Sequence, residues 1–165
     1  MTLELNKIIC GSALDVLKTF DDEYIDLIIT SPPYFNLRSY FLTNKNNKEI
    51  GLEKIPEEYI NKLVEIFNEC KRVLKKSGSF WLNISDSYDG SNQGYGAKHK
   101  SPKGLQDVND GYFASSSGKC NLKNLNAKSL LGIPERLMLA LIDNGWILRN
   151  KNLWLKQIIY SNGET

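Results

Sequence analysis

The stretch "IDLIITSPPY", residues 25–34, constrains this chain more than any other. Residues 25–30 form a near-continuous apolar run, the pattern of a strand covered on both faces in a parallel sheet between helices. The run stops at Ser31, Pro32 and Pro33. Two consecutive prolines remove two backbone donors and fix φ at about −65° at both positions. They also push Ser31 toward an extended conformation. Such a rigid stop is either a plain exit turn or a carefully held site. In an open parallel sheet, ligands bind beyond the carboxyl ends of the strands, and residues 31–34 fall there.

The remainder of the chain sets the class. At 165 residues it reads as one domain, residues 1–165, and 41% hydrophobic with 24% charged residues is an ordinary soluble composition. The opening "MTLELNKIICGS" lacks the apolar centre of a signal peptide. No apolar run approaches the roughly 20 residues of a membrane span. Cys10, Cys70 and Cys120 stand far apart without CxxC spacing, which argues against a disulfide framework or a zinc site and fits a reducing cytoplasm. The one histidine, His99, lies in a polar stretch, so neither a metal site nor histidine catalysis is expected. A net charge of +2 leaves nucleic-acid affinity to local clusters.

Along the chain, residues 7–10 read as a short strand, followed by a Gly-Ser turn and a short helix with Leu14, Leu17 and Phe20 inward. Residues 55–78 form the clearest helix pattern: Pro56 near the first position, Glu57 and Glu58 in the first turn, and "KKSG" as basic end and glycine stop. Tyr59, Ile60, Leu63, Ile66, Phe67, Cys70, Val73 and Leu74 follow helical spacing. Residues 79–84 read as the next strand, 133–146 as a second proline-led helix, and 146–160 as a closing strand or strand pair. Between them, residues 85–129 are rich in Gly, Ser, Asn and Lys, a polar insert longer than ordinary loops. The order β-α-β-α-β predicts an α/β layered fold.

The proline turn has a chemistry of its own. Ser31 offers a hydroxyl, and the carbonyls around Pro32 lie outside any regular ladder, so two acceptors converge on one point. Tyr34 offers a flat face on which a heterocycle can stack, worth roughly 1–3 kcal/mol per base. Accepting both hydrogens of an exocyclic amine favours a pyramidal nitrogen and frees its lone pair. The methylated, cationic amine then sheds a proton readily, so no strong base is needed.

"TSPPY" (30–34) resembles the catalytic motif of the amino-group DNA methyltransferases, the N4-cytosine and N6-adenine family. The blocks "IICGSALDVLKTFDDEYIDLIITSPPYFNLRSY", "EIGLEKIPEEYINKLVEIFNECKRVLKKSGSFWLNISDSY" and "LLGIPERLMLALIDNGWILRNKNLWLK" are also similar to consecutive parts of that family. The resemblance implies a Rossmann-like sheet with flanking helices, S-adenosylmethionine as methyl donor and double-stranded DNA as substrate, often within restriction–modification. It implies a flipped base stacked on Tyr34, held by Ser31 and the Pro32 carbonyl beside Pro33, and methylated directly. Ser31 is then an orienting partner and not a nucleophile. Serine before the prolines leans toward N4-cytosine, because the adenine enzymes more often carry aspartate there.

Two departures matter. The family's FxGxG cofactor loop is absent, and "GYGAKHK" and "DGYF" follow no aliphatic strand. In the subgroup whose SPPY block comes first, that loop lies C-terminal, so this chain looks like an N-terminal half lacking the central cofactor-loop strand. The strand at 25–30 is then expected to have an open apolar edge. It would bind a complementing C-terminal segment or chain, or self-associate. Ser12 stands where the family commonly has aspartate; it and Thr30 are the cofactor-binding candidates, with a plain Gly-Ser turn an equal reading for Ser12. Asn83, Asp86 and Tyr88 could line the pocket or simply cap the insert.

For DNA contact, Lys98, Lys100 and Lys103 lie beside Tyr95, Tyr112 and Phe113 in the insert, a composition suited to phosphate contact and stacking. Arg38, with Lys45 and Lys48, follows the proline turn and is a second candidate. The rival readings are a non-catalytic remnant that binds DNA or a partner, and a methyltransferase for protein glutamine or RNA.

Overall fold

The computed structural model describes residues 6–37, 49–89, 125, 126 and 128–155. Its elements run α1 (Ala13–Leu17), β1 (Ile25–Thr30), α2 (Pro56–Val73), β2 (Leu74–Leu82) and α3 (Ile133–Asp143). Strands β1 and β2 pair in parallel, with Ile28 opposite Phe80 and Thr30 opposite Leu82, and α2 is the crossover between them. This is an α/β arrangement.

Helix α2 forms for the reasons visible in its sequence: Pro56 starts it, Glu57 and Glu58 complement its dipole, and one stripe is apolar. That stripe buries Tyr59, Ile60, Leu63, Phe67, Cys70 and Val73 against Ile133, Leu137 and Leu141 of α3 and against Phe35. Each fully buried aliphatic stabilises the fold by roughly 1.5–3 kcal/mol. Phe80 joins β2 to this core, its ring 5.0 Å from Phe67 and 4.8 Å from Trp146.

The helix ends five residues earlier than the glycine stop predicts, at Val73, and "KKSG" lies in β2. Residues from outside the helix end it. The Glu23 and Tyr24 backbone N–H groups donate to the Arg72 and Val73 carbonyls at 3.0 and 2.8 Å. The Arg72 side chain meanwhile donates to the Leu17 and Phe20 carbonyls and pairs with Asp22 and Glu69. With its last carbonyls taken by the segment leading into β1, the chain turns directly into β2. Gly78 then does a different job from a helix stop: a Cβ there would lie 2.9 Å from the Asp26 carbonyl oxygen and 2.9 Å from the Leu74 side chain. The register shift between Ile25 and Leu27 falls at this close approach.

Three further expectations are corrected. Residues 7–10 form no strand, and Ile8 and Ile9 are exposed. Residues 146–155 form no strand, with Leu153, Trp154 and Leu155 exposed, and residues 156–160 of that expectation lie outside the described residues. The β1 run is covered on one face only. Ile28, Phe80 and Leu82 pack on the core, whereas Leu27, Ile29 and Trp81 on the other face are 49%, 73% and 55% exposed. The cause is common to all three: a strand forms only against a neighbour, and among the described residues none lies on that side.

The insert is tied at its base. The Asp89 N–H donates to the Ser129 carbonyl and the Lys128 N–H to the Asp89 carbonyl, both at 2.8 Å, and Tyr88 and Leu130 form an antiparallel bridge. A stem of this kind lets a long excursion leave the fold at little entropic cost. Gly78→Val is expected to destabilise the chain by about 1–3 kcal/mol through overpacking against Asp26 and Leu74. Leu139→Ala, on the exposed side of α3, should stay within about 0.5 kcal/mol; urea denaturation of both variants checks the contrast.

Candidate active site

The turn after β1 cannot hold itself, since Pro32 and Pro33 bring no N–H groups. Its ties come from elsewhere in the chain. The Tyr59 hydroxyl, fully buried on α2, donates to the Pro33 carbonyl at 2.8 Å. The Asn36 N–H donates to the Gly51 carbonyl at 2.6 Å, and the Ser87 hydroxyl donates to the Phe35 carbonyl at 2.7 Å. Phe35 itself is buried, its ring 5.4 Å from that of Tyr59.

Gly51 closes the back of the turn. Its φ of +99° suits glycine, and a Cβ there would lie 2.9 Å from the Tyr34 carbonyl oxygen. Its N–H donates to Glu53 Oε2 at 2.8 Å, while Glu53 Oε1 pairs with Lys62 at 2.8 Å. Burial, and secondarily the charge of Glu53 and the neighbouring Tyr34, pushes the Tyr59 hydroxyl well above its ordinary range. It therefore remains a proton donor to Pro33 throughout the neutral range.

At the front, Ser31 is exposed and Tyr34 half-buried. The Tyr34 hydroxyl oxygen accepts from Ser31 Oγ at 3.3 Å and from Asn83 Nδ2 at 3.1 Å. Asn83 is placed by its own N–H, which donates to the Thr30 carbonyl at 2.9 Å and so continues the sheet one residue past β2. A serine that donates to tyrosine keeps its lone pairs for another donor. The Pro32 carbonyl takes no hydrogen bond among the described residues. Two acceptors and one ring thus share a turn fixed from behind. A cleft of about 1900 Å³ between β2 and residues 144–154 counts Tyr34 and Asn83 in its wall.

Of the other candidates, Asp86 lines the same cleft, and Ser12 and Thr30 do not. Ser12 caps α1, accepting from the Asp15 N–H at 3.4 Å, and Thr30 ends β1 opposite Leu82. Asp86 takes the capping role: its carboxylate accepts from the Gly132 and Ile133 N–H groups at 3.0 and 2.9 Å, at the N-terminus of α3. Arg38, Lys45, Lys48, Lys98, Lys100 and Lys103 lie outside the described residues. Sequence reasoning passes over Gly51, Glu53 and the Tyr59 hydroxyl. Only the glycine between apolar residues in "EIGLE" carries a local signal for them.

A parallel strand ending in a serine-proline-proline-tyrosine turn with open acceptors defines the class. The chain matches the DNA methylase family model over residues 25–165 and belongs to that family. Among relatives, it is 39% identical over 156 residues to the type II methyltransferase M.Cfr9I of Citrobacter freundii, spanning 93% of this chain and 48% of that protein. It is 40% identical over 147 residues to M.XycI of Xanthomonas campestris pv. cyanopsidis, spanning 88% and 45%. The solved PvuII DNA methyltransferase (cytosine-N4-specific) aligns with 81% of this chain and 32% of its own, at a TM-score of 0.41 and 20% identity. The chain spans about half the length of these two relatives.

Tyr59→Phe should cost about 1–3 kcal/mol at neutral pH, because the buried Pro33 carbonyl loses its donor. The raised Tyr59 pKa also predicts an alkaline effect. Its contribution is fully present below the unfolded value of about 10 and is lost as pH rises beyond it. The Cys70 thiol, pushed up to about 11 by burial, adds a slope of the same sign to both proteins. Denaturation of wild type and variant at pH 7 and in the alkaline range should show the wild type losing more stability than Tyr59→Phe.

Proposed function

We propose that this chain is the base-holding part of a site-specific DNA methyltransferase acting on the exocyclic amine of a flipped base in double-stranded DNA. The target is the N4 amine of cytosine in the first instance, on the strength of serine at position 31, with the N6 amine of adenine second. The observation that carries the reading is the open pair of acceptors, Ser31 Oγ and the Pro32 carbonyl, beside the Tyr34 ring on a turn clamped from behind.

Within this reading each group has a task. The Tyr34 ring stacks on the base, its tilt set by Ser31 and Asn83. Ser31 Oγ and the Pro32 carbonyl accept the two amine hydrogens and leave the nitrogen lone pair free to take up a methyl group. Pro33 acts through rigidity, held by Tyr59. S-adenosylmethionine is the donor that this chemistry calls for, supplying an electrophilic methyl when bound. Ser12, whose hydroxyl also caps α1, and Thr30 at the end of β1 are the candidates this chain offers toward it. The family's glycine-rich cofactor loop would supply the rest of its site, in sequence of the kind that makes up the relatives' remaining length. Arg38, Lys98, Lys100 and Lys103 are the proposed phosphate contacts, and the cytoplasm is the proposed compartment. A second reading, a remnant that binds DNA or a partner without transfer, draws on the missing FxGxG loop.

Calorimetric titration of S-adenosylmethionine into this chain alone is expected to give no micromolar binding. Together with the missing half of a relative, labelled methyl groups should pass to duplex DNA. Tyr34→Ala should then slow transfer by about 10- to 100-fold, the equivalent of one lost stacking contact. Ser31→Ala should reduce kcat by a similar factor, with less effect on DNA affinity. Absence of transfer with a complement that forms a stable complex would favour the remnant.

A further inference from the structure

Serine is a two-way group: its hydroxyl can donate one hydrogen bond and accept others. The Pro32 carbonyl beside it can only accept. A serine free to donate would meet an oxo group as readily as an amine, so the turn discriminates between them only if the Ser31 proton is placed elsewhere. An ionised aspartate at that position would have no proton to place.

The side chains around Ser31 give its proton a destination. Pro32 and Pro33 fix the backbone between residues 31 and 34, and across them Ser31 Oγ donates to the Tyr34 hydroxyl oxygen at 3.3 Å. Asn83 Nδ2, a group that can only donate, reaches the same oxygen at 3.1 Å. Asn83 is anchored in turn by its N–H, which donates to the Thr30 carbonyl at 2.9 Å, one residue before Ser31. Serine, tyrosine and asparagine are thus gathered at the carboxyl end of the β1–β2 pair. The base-holding reading uses the Tyr34 ring for stacking and gives its hydroxyl no part in choosing the ligand.

We propose that the Tyr34 hydroxyl and Asn83 determine specificity: they take up the Ser31 proton, commit Ser31 to accepting, and so select a base bearing an exocyclic amine against one bearing an oxo group at the same ring position. The proposal rests on the base-holding reading for the class of ligand. It goes beyond that reading by assigning the choice of group to a hydroxyl and an amide outside the serine-proline pair. An amine finds two acceptors, Ser31 Oγ and the Pro32 carbonyl. An oxo group finds the same two acceptors and no donor. A site built around one hydrogen-bonding pattern rejects the analogue that leaves its polar groups unpaired. Asn83 acts here as a positioning residue, through Tyr34.

The test uses the full chain with 2′-deoxycytidine and 2′-deoxyuridine as probes. These share sugar and ring, and differ in the amine or oxo group at C4 and the N3 proton that goes with it. Binding is followed by NMR at the Tyr34 ring and the Asn83 side-chain amide. Wild type should favour deoxycytidine by about 5-fold, the worth of roughly one hydrogen bond. Tyr34→Phe keeps the ring and removes the oxygen, and Asn83→Leu keeps the size and removes the donor. Each should bring the ratio within about 2-fold, chiefly by improving deoxyuridine, which the freed Ser31 proton can then meet. Adding Ser31→Asp to Tyr34→Phe should restore the preference for deoxycytidine, because a carboxylate accepts without help. A tyrosine and an asparagine that only packed would shift both affinities together, and Ser31→Asp would rescue neither. Circular dichroism and melting of each variant separate these outcomes from misfolding. A preference that survives Tyr34→Phe would overturn the proposal. So would equal binding by wild type, as a reversed Ser31–Tyr34 bond would give, or binding of neither nucleoside. Methyl transfer is scored separately: preference without transfer counts against the methyltransferase reading alone, and transfer without preference against this proposal alone.

Discussion

The rest of the site depends on one hydrogen bond, from a buried tyrosine to a proline carbonyl. Two successive prolines take away the donors with which a turn normally ties itself down, so the turn after β1 has to be held by groups from other parts of the chain. Tyr59 reaches the Pro33 carbonyl from the middle of the core, between Phe35 and the α2 stripe. Gly51 and Ser87 hold the next residues, Asn36 and Phe35, the latter from 52 positions away in sequence. The chemistry at Ser31 and Tyr34 thereby inherits its rigidity from core packing. Preorganised acceptors are worth more than mobile ones, because no reorganisation is required at the moment of reaction.

Much of this was legible from residues alone, and the part that was not has a physical pattern. Helices α2 and α3 declare themselves through proline starts, acidic first turns and apolar stripes, all properties of neighbours within one or two turns. The proline turn and its acceptors are equally local. The end of α2 is not, because the carbonyls of Arg72 and Val73 are capped by residues 23 and 24 from across the fold. Asp86 was an open choice between pocket and cap, and it does both, lining the cleft and capping a helix that begins 47 residues later. Tyr59 shows the limit well: its spacing places it in the core, but nothing in a helical pattern says that its hydroxyl meets Pro33.

The strand expected at 7–10, and the described part, 146–155, of the one expected at 146–160, are absent for a related reason. An apolar run is a statement about burial, and it becomes a strand only where a neighbour accepts its hydrogen bonds. Ile8, Ile9, Leu153 and Trp154 have the composition for it and remain exposed. The same holds for the face of β1 that carries Ile29. The run reads as a strand covered on both faces, and the described residues cover one of them.

Every group that clamps the turn, Tyr59, Gly51, Glu53 and Ser87, belongs to the described chain, and the helices behind it, α2 and α3, cover the packed face of the sheet. Ser31 Oγ and the Pro32 carbonyl are therefore held in place by packing and hydrogen bonds that these same elements supply, so the geometry of the turn, two acceptors and a ring, is set by the core behind it.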